Sequence, residues 1–197
     1  GGAAGAGGVL TSGGSAGNLT ALLAARQARA GFDVWTEGAH AGPPLAVLVA
    51  TTAHYSIGRA VRALGWGDGG AIAVAYNVPG VDKLTLTPEV TANIFSGKIT
   101  NWNDPTIAAI NPGVTLPNAP IAAYHRSDGS GTTANFTSWL TAASNGAWTY
   151  GNTKDWKAPG GQGAKGSDGV ASSLKSTPNS ISYIEASFVS QAGAKAA

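Results

Sequence analysis

The chain has 197 residues, 43% of them apolar and 11% charged, with a formal net charge of +2. That is enough apolar material for a packed core, in one large domain or two small ones, and too little charge to indicate a nucleic-acid or membrane-surface binder. Cysteine is absent, which excludes disulfides, thiolate metal sites and cysteine nucleophiles and leaves the redox compartment open.

Methionine is absent as well, even at position 1. The expectation is a chain that begins after processing or is a fragment, with no signal peptide remaining and no apolar run of transmembrane length. Residues 1–8 are only Gly and Ala, a composition expected to be flexible. Ser15, ahead of Leu19, Leu22 and Leu23, predicts the N-cap of a helix running to about Ala30 and stopped by Gly31. Leu45 to Ala50 is a continuous apolar run, expected as a buried parallel strand. Ile57, Val61 and Leu64 predict a second helix, ended by Gly65.

Near Gly67-Asp68-Gly69-Gly70 the composition changes. Residues 1–70 hold four Arg and no Lys, whereas residues 71–197 hold one Arg and seven Lys; Asn goes from one to ten across the same line. A small sample produces such a split by chance, and so does the meeting of two segments of different origin. The expected organisation is an αβ segment over 1–70 and a larger lobe over 71–197.

In that larger part Ala71 to Tyr76 reads as a buried strand. Thr87-Pro88-Glu89 predicts a helix start, with Thr as N-cap, Pro at the first helical position and an acid in the first turn; Gly97 stops it. Pro105 begins a short helix to about Ile110, and Ile121 to His125 reads as a strand. Ser130 opens a helix carrying Phe136 and Leu140. Thr153 to Gly166 is rich in Gly and Lys and is expected as loop. Ser167 to Ser176 is a further helix, and Ile181 to Ile184 a closing strand. Strands alternating with helices predict an α/β fold.

The stretch with chemical content is Arg126-Ser127-Asp128-Gly129-Ser130-Gly131-Thr132-Thr133, between that strand and that helix. A helix begins with backbone N–H groups that lack intrahelical partners and carry partial positive charge, so it attracts anions. Gly129 and Gly131 allow close backbone approach. Ser130 and Thr132 add hydroxyls, and Arg126 a planar fork matched to two oxyanion oxygens. Asp128 would repel an anion directly, so its expected role is to orient Arg126. The same residues also fit a plain turn with an N-cap and a surface ion pair. No Gly-Lys-Ser/Thr closes the loop and no G-x-G-x-x-G spacing is present, so a small free anion is favoured over a nucleotide.

The text from about Ala71 to Val189 resembles the periplasmic or lipid-anchored phosphate-binding proteins of bacterial high-affinity phosphate uptake transporters, in their actinobacterial form. It is carried by Ile72 to Asn77, Leu86-Thr87-Pro88, Ile94 through Pro105, His125 through Thr133 and Ser180 through Glu185. The resemblance implies a periplasmic-binding-protein-like lobe that binds inorganic phosphate for a membrane ABC transporter and is no enzyme. It places Arg126, Ser130, Gly131 and Thr132 at the phosphate, Asp128 against Arg126, and the protein in the periplasm or outside the cell, with a lipid anchor on the precursor. It also implies a first lobe supplying further contacts, among them a carboxylate that accepts a proton from phosphate. No such lobe is recognisable in this chain.

Leu10 to Arg26, and Ala53-His54-Tyr55-Ser56-Ile57 with Ala63-Leu64-Gly65, resemble the pyridoxal-phosphate-dependent aromatic amino acid decarboxylases. That likeness implies Gly14 and Ser15 at a cofactor phosphate and His54 stacked on its ring. Residues 1–70 have no Lys for a Schiff base, and no partner for the pyridine nitrogen is recognisable, so no decarboxylase chemistry is expected. A glycine-rich turn before a helix explains Gly14 and Ser15 equally well. His40, His54 and His125 are too scattered to suggest a metal site, and no nucleophile elbow is present. Trp102, Trp139, Trp148 and Trp156 are expected in the core or on the lobe surface. The alternatives to phosphate binding are a decarboxylase remnant and a folded chimera without a useful ligand.

Overall fold

The computed structural model describes residues 11–37, 47–48, 56–64 and 71–197. The glycine-rich start, the junction at 67–70, His40, His54 and most of the 45–50 strand lie outside them. The first helix, α1 (Gly14–Arg29), ends as expected, with Gly31 in the left-handed region at φ 77. Its beginning differs from expectation: Gly13, not Ser15, is the N-cap, and no side chain caps the helix. Ser15 is already inside the first turn. A one-turn helix follows, α2 (Val34–Glu37), set off by Asp33, whose carboxylate accepts from the Trp35 N–H at 3.1 Å and the Thr36 hydroxyl at 2.6 Å.

β1 (Val47–Leu48) and α3 (Ser56–Ala63) complete the first part. α1 and α3 are tied side by side by Asn18 Nδ2 donating to Ser56 Oγ at 2.7 Å and by Arg26 Nη1 donating to the Leu64 carbonyl at 2.7 Å.

The second part opens with β2 (Ala71–Asn77) and continues through α4 (Pro88–Phe95), α5 (Pro105–Ala109), β3 (Ala122–Arg126), α6 (Gly131–Ala143), β4 (Gln162–Ala164), α7 (Gly166–Ser176) and β5 (Ser180–Glu185). A 3₁₀ turn over Ala186–Phe188 and a two-residue β6 (Lys195–Ala196) follow. The Thr87 side chain caps α4 by accepting from the Val90 N–H at 3.2 Å, as its sequence predicts. β4 and β6 are departures from expectation. Gln162-Gly163-Ala164 has no apolar alternation to reveal it; it pairs through its backbone, parallel to β3.

The strands form one sheet in the order β1-β2-β5-β3-β4, with β6 also on β2. β5 is antiparallel to β2 and parallel to β3, and β1 is parallel to β2. Side chains alternate across β2. Ile72, Val74 and Tyr76 enter a large core with Ile94, Phe95, Trp102, Phe136, Leu140 and Trp148. Ala73 and Ala75 enter a smaller one with Val170, Ala171 and Leu174 of α7. Helices therefore cover both faces. Trp102 is fully buried and donates its indole N–H to the Asn179 carbonyl at 3.0 Å, which removes the cost of burying that polar atom.

Candidate functional site

Arg126 is the last residue of β3 and Gly131 the first of α6, so four residues make the turn between them. Ser130 is the helix N-cap: its Oγ accepts from the Thr133 N–H at 3.0 Å. That leaves Gly131 and Thr132 as the first two helical residues, whose N–H groups have no intrahelical acceptor. A Cβ built on Gly131 meets nothing within 4 Å, whereas one on Gly129 would come within 2.8 Å of an Asp155 carboxylate oxygen. The two glycines therefore serve different ends: Gly129 lets the loop pack, and Gly131 leaves open space at the helix start.

Arg126 is gripped from both ends of its guanidinium. Nε donates to Asp128 Oδ1 at 2.8 Å and Nη2 to Oδ2 at 2.5 Å, while Nη1 donates to Ser167 Oγ at 3.3 Å. Asp128 Oδ1 also accepts from the Gly166 N–H, the first of α7, at 3.0 Å. The Arg126 hydrogen bond, followed by that of Gly166, holds the Asp128 carboxyl far below the usual carboxylate range; the same bond to Asp128 raises Arg126. The arginine side chain is 13% exposed and that of Asp128 37%, so the guanidinium is shielded and held in one orientation by an exposed carboxylate. Two helix N-termini, α6 and α7, converge here.

The loop is anchored from below. The Tyr183 hydroxyl accepts from the Arg126 N–H at 3.1 Å and lies 2.7 Å from Thr133 Oγ1, which lies 2.8 Å from Ser130 Oγ. Burial pushes the Tyr183 phenol up, so it stays protonated. Its ring stacks on Phe136, with centroids 4.3 Å apart, and on Trp156 at 5.8 Å. Glu185, two residues on in β5, is 8% exposed; its Oε1 accepts from the Thr132 hydroxyl and lies 3.9 Å from Arg126 Nη1.

Arg126, Asp128, Ser130, Gly131 and Thr132 are thus brought together. Gly14 and Ser15 lie at the start of α1, in the other part of the chain, and His54 is outside the described residues. Sequence reasoning gave no role to Glu185, Tyr183, Thr133 or Ser167. One signal for Glu185 is present in the sequence: it is a carboxylate directly after Tyr183-Ile184 at the end of the expected strand, where an acid is buried only if paired. His125 is half-buried, stacked flat on Trp156 with centroids 4.7 Å apart and planes inclined by 9°. A shallow groove lined by Ile94, Gly97, Ile99, Ile121 and Gly161 contains none of the loop residues. Among the described residues no cluster of His, Asp or Glu is suited to a metal ion, and no helix is long and apolar enough to cross a membrane.

An open α/β sheet brings two helix starts, one held arginine and the side chains of Ser130 and Thr132 to one loop, an arrangement chemically suited to a small oxyanion. The PBP superfamily domain profile matches residues 69–197, and the chain belongs to that family. Phosphate-binding protein PstS 3 of Mycobacterium leprae is 51% identical over 121 residues, which are 61% of this chain and 33% of that protein. Phosphate-binding protein PstS of Pasteurella multocida is 45% identical over 127 residues, 62% of this chain and 36% of that protein. Among solved structures, a high affinity periplasmic phosphate-binding protein, PfluDING, bound with phosphate, superposes with a TM-score of 0.52 at 28% identity, over 60% of this chain and 32% of that one. The chain spans about a third of the length of the curated relatives it matches.

Proposed function

We propose that this chain binds inorganic phosphate, as part of the substrate-binding component of a phosphate uptake transporter. Arg126, Ser130, Gly131 and Thr132 hold the ion and Asp128 holds Arg126. The observation that carries this reading is the guanidinium fixed on two sides by Asp128 and Ser167 at the start of α6. The names of the relatives support the same ligand, and that of PfluDING the periplasm; a membrane ABC transporter as partner, the cell exterior as the other location and a lipid anchor in the precursor belong to the same proposal. The reading is of a binding protein, not an enzyme, and of one lobe of a two-lobe design.

We further infer that residues 1–70 are a decarboxylase-like αβ segment, distinct from the 71–197 lobe, that serves structurally. Its support is the likeness of Leu10 to Arg26 together with β1, which adds a strand to β2. Gly14, Ser15 and His54 are the remnant of a cofactor-phosphate site, without the lysine that pyridoxal phosphate requires. Cofactor absorbance on adding pyridoxal phosphate, or carbon dioxide released from an aromatic amino acid, would contradict this.

The test of the phosphate reading is calorimetric titration, at fixed salt, of this chain and of Arg126→Ala. Binding by the first and loss in the second is expected. Absence of binding by the unaltered chain would leave the loop as a structural helix start only.

A further inference from the structure

A guanidinium has five N–H donors and no acceptor. Among the described residues three of those on Arg126 are engaged, Nε and Nη2 with Asp128 and Nη1 with Ser167 Oγ at 3.3 Å. Two are left, one on each terminal nitrogen, and these are what a tetrahedral oxyanion can take. How the guanidinium is turned therefore decides what the ion meets. Asp128 fixes one edge. The other side is contested, because Glu185 Oε1 lies 3.9 Å from the same Nη1, just beyond hydrogen-bond reach.

Glu185 is a strong competitor. It is 8% exposed and accepts from the neutral Thr132 hydroxyl, and a buried carboxylate is stabilised further by a cation. The arginine has its own reason to turn. Without an acceptor on that side, a shielded Nη1 N–H would go unpaired, which costs more than a made bond contributes, and the carboxylate already facing it is Glu185. A small rotation then closes an Arg126–Glu185 pair. That pair uses a donor the ion needs and brings a second negative charge toward it. Ser167 stands in the way. It is the second residue of α7, beside Gly166, whose N–H donates to Asp128 Oδ1 at 3.0 Å. One helix start thus steadies the partner on one edge of the guanidinium and supplies the acceptor on the other, and a neutral hydroxyl fills that place without adding charge.

We propose that Ser167 is a positioning residue for the anion site: by accepting from Arg126 Nη1 it keeps the guanidinium off Glu185 and available to the bound oxyanion. The proposal rests on the phosphate reading above and adds to it a residue 41 positions away from Arg126.

The test is a double-mutant cycle on the full chain, titrated with inorganic phosphate by calorimetry at fixed salt. Ser167→Ala removes the acceptor, Ser167→Thr keeps the hydroxyl, and Glu185→Gln removes the competing charge while its amide oxygen can still accept from Thr132. Ser167→Ala is expected to weaken phosphate binding about ten-fold in the parent and by about two-fold or less in the Glu185→Gln background, whereas Ser167→Thr stays near the parent. A merely structural serine gives the same loss in both backgrounds. If Glu185→Gln fails to fold, Ser167→Ala against Ser167→Thr decides. Binding that depends on Arg126, with equal losses in both backgrounds or none in folded Ser167→Ala, overturns this proposal alone. No phosphate binding by the unaltered chain overturns both readings.

Discussion

The hydroxyl of Tyr183 joins the two elements that frame the site loop: it accepts from the backbone N–H of Arg126 at the end of β3 and meets Thr133 in the first turn of α6 at 2.7 Å. Because the same ring stacks on Phe136, loop geometry and core packing are mechanically one. Tyr183→Phe is expected to keep the stack and lose the bridge. The buried Arg126 N–H and Thr133 hydroxyl would lose a partner, costing about 1–3 kcal/mol. Denaturant titration checks the cost. A ten-fold or greater loss of phosphate affinity by calorimetry, in a variant that still unfolds cooperatively, checks the coupling.

Phe136 tests the core beneath the site. It is fully buried, stacked on Tyr183 and edge-on to Phe95 with centroids 4.9 Å apart. Phe136→Ala is expected to cost about 3–5 kcal/mol, a large part of the roughly 5–15 kcal/mol typical of a domain. Thermal and chemical unfolding should both register it.

At Gly131 fold and function should separate. An added Cβ meets open space and alanine is a better helix former than glycine, so Gly131→Ala should unfold at or above the denaturant midpoint of the parent. The same methyl occupies the open space at the helix start, so phosphate affinity should fall. Equal affinity in parent and variant would place the anion away from this residue. Gly129→Ala is the contrast: its Cβ would collide with Asp155, and stability should drop.

At the loop and beside it, two groups give a pH response. Asp128 has a depressed folded-state pKa, through Arg126 first and Gly166 second. Its contribution is therefore complete above the ordinary carboxylate value near 4 and is lost as pH falls through the depressed folded value. Asp128→Asn should remove that acid-side loss and, by releasing Arg126, weaken phosphate binding about ten-fold at neutral pH.

His125 acts in a different window. Burial lowers its pKa, so the unfolded chain takes up a proton at higher pH than the folded one. Stability should fall as pH drops below about 6.5, the ordinary histidine value. His125→Phe keeps a ring against Trp156 and should flatten this slope, read by unfolding at pH 7 and pH 5.

Local chemistry made some features legible in the sequence and topology concealed others. Thr87-Pro88-Glu89 encodes its helix start within three residues, and Ser130 caps α6 by reaching only to Thr133, so both were readable from neighbours. Ser15 misled because a hydroxyl beside glycines matches the cap pattern, while Gly13 begins the helix without any side-chain bond. β4 was hidden because a backbone ladder beside β3 leaves no side-chain period. The pairing of Arg126 with Asp128 spans two residues and was foreseeable. That of Thr132 with Glu185 spans 53, and only the order of the strands brings β5 under α6.

β2 has β5 along one side, and its other side is shared by two brief partners, β1 at Ala71 and Ile72 and β6 at Ala75 and Tyr76, with the Ala197 N–H donating to the Val74 carbonyl at 2.9 Å. Among the described residues each guard is two residues long. An uncovered strand edge recruits strands from other molecules, so colloidal behaviour depends on residues far from the anion loop. Removing residues 195–197 should leave the loop unaltered and yet bring on concentration-dependent self-association, visible by light scattering. The sheet's solubility is guarded from two distant points of the sequence, and shortening either guard changes which neighbours the protein accepts.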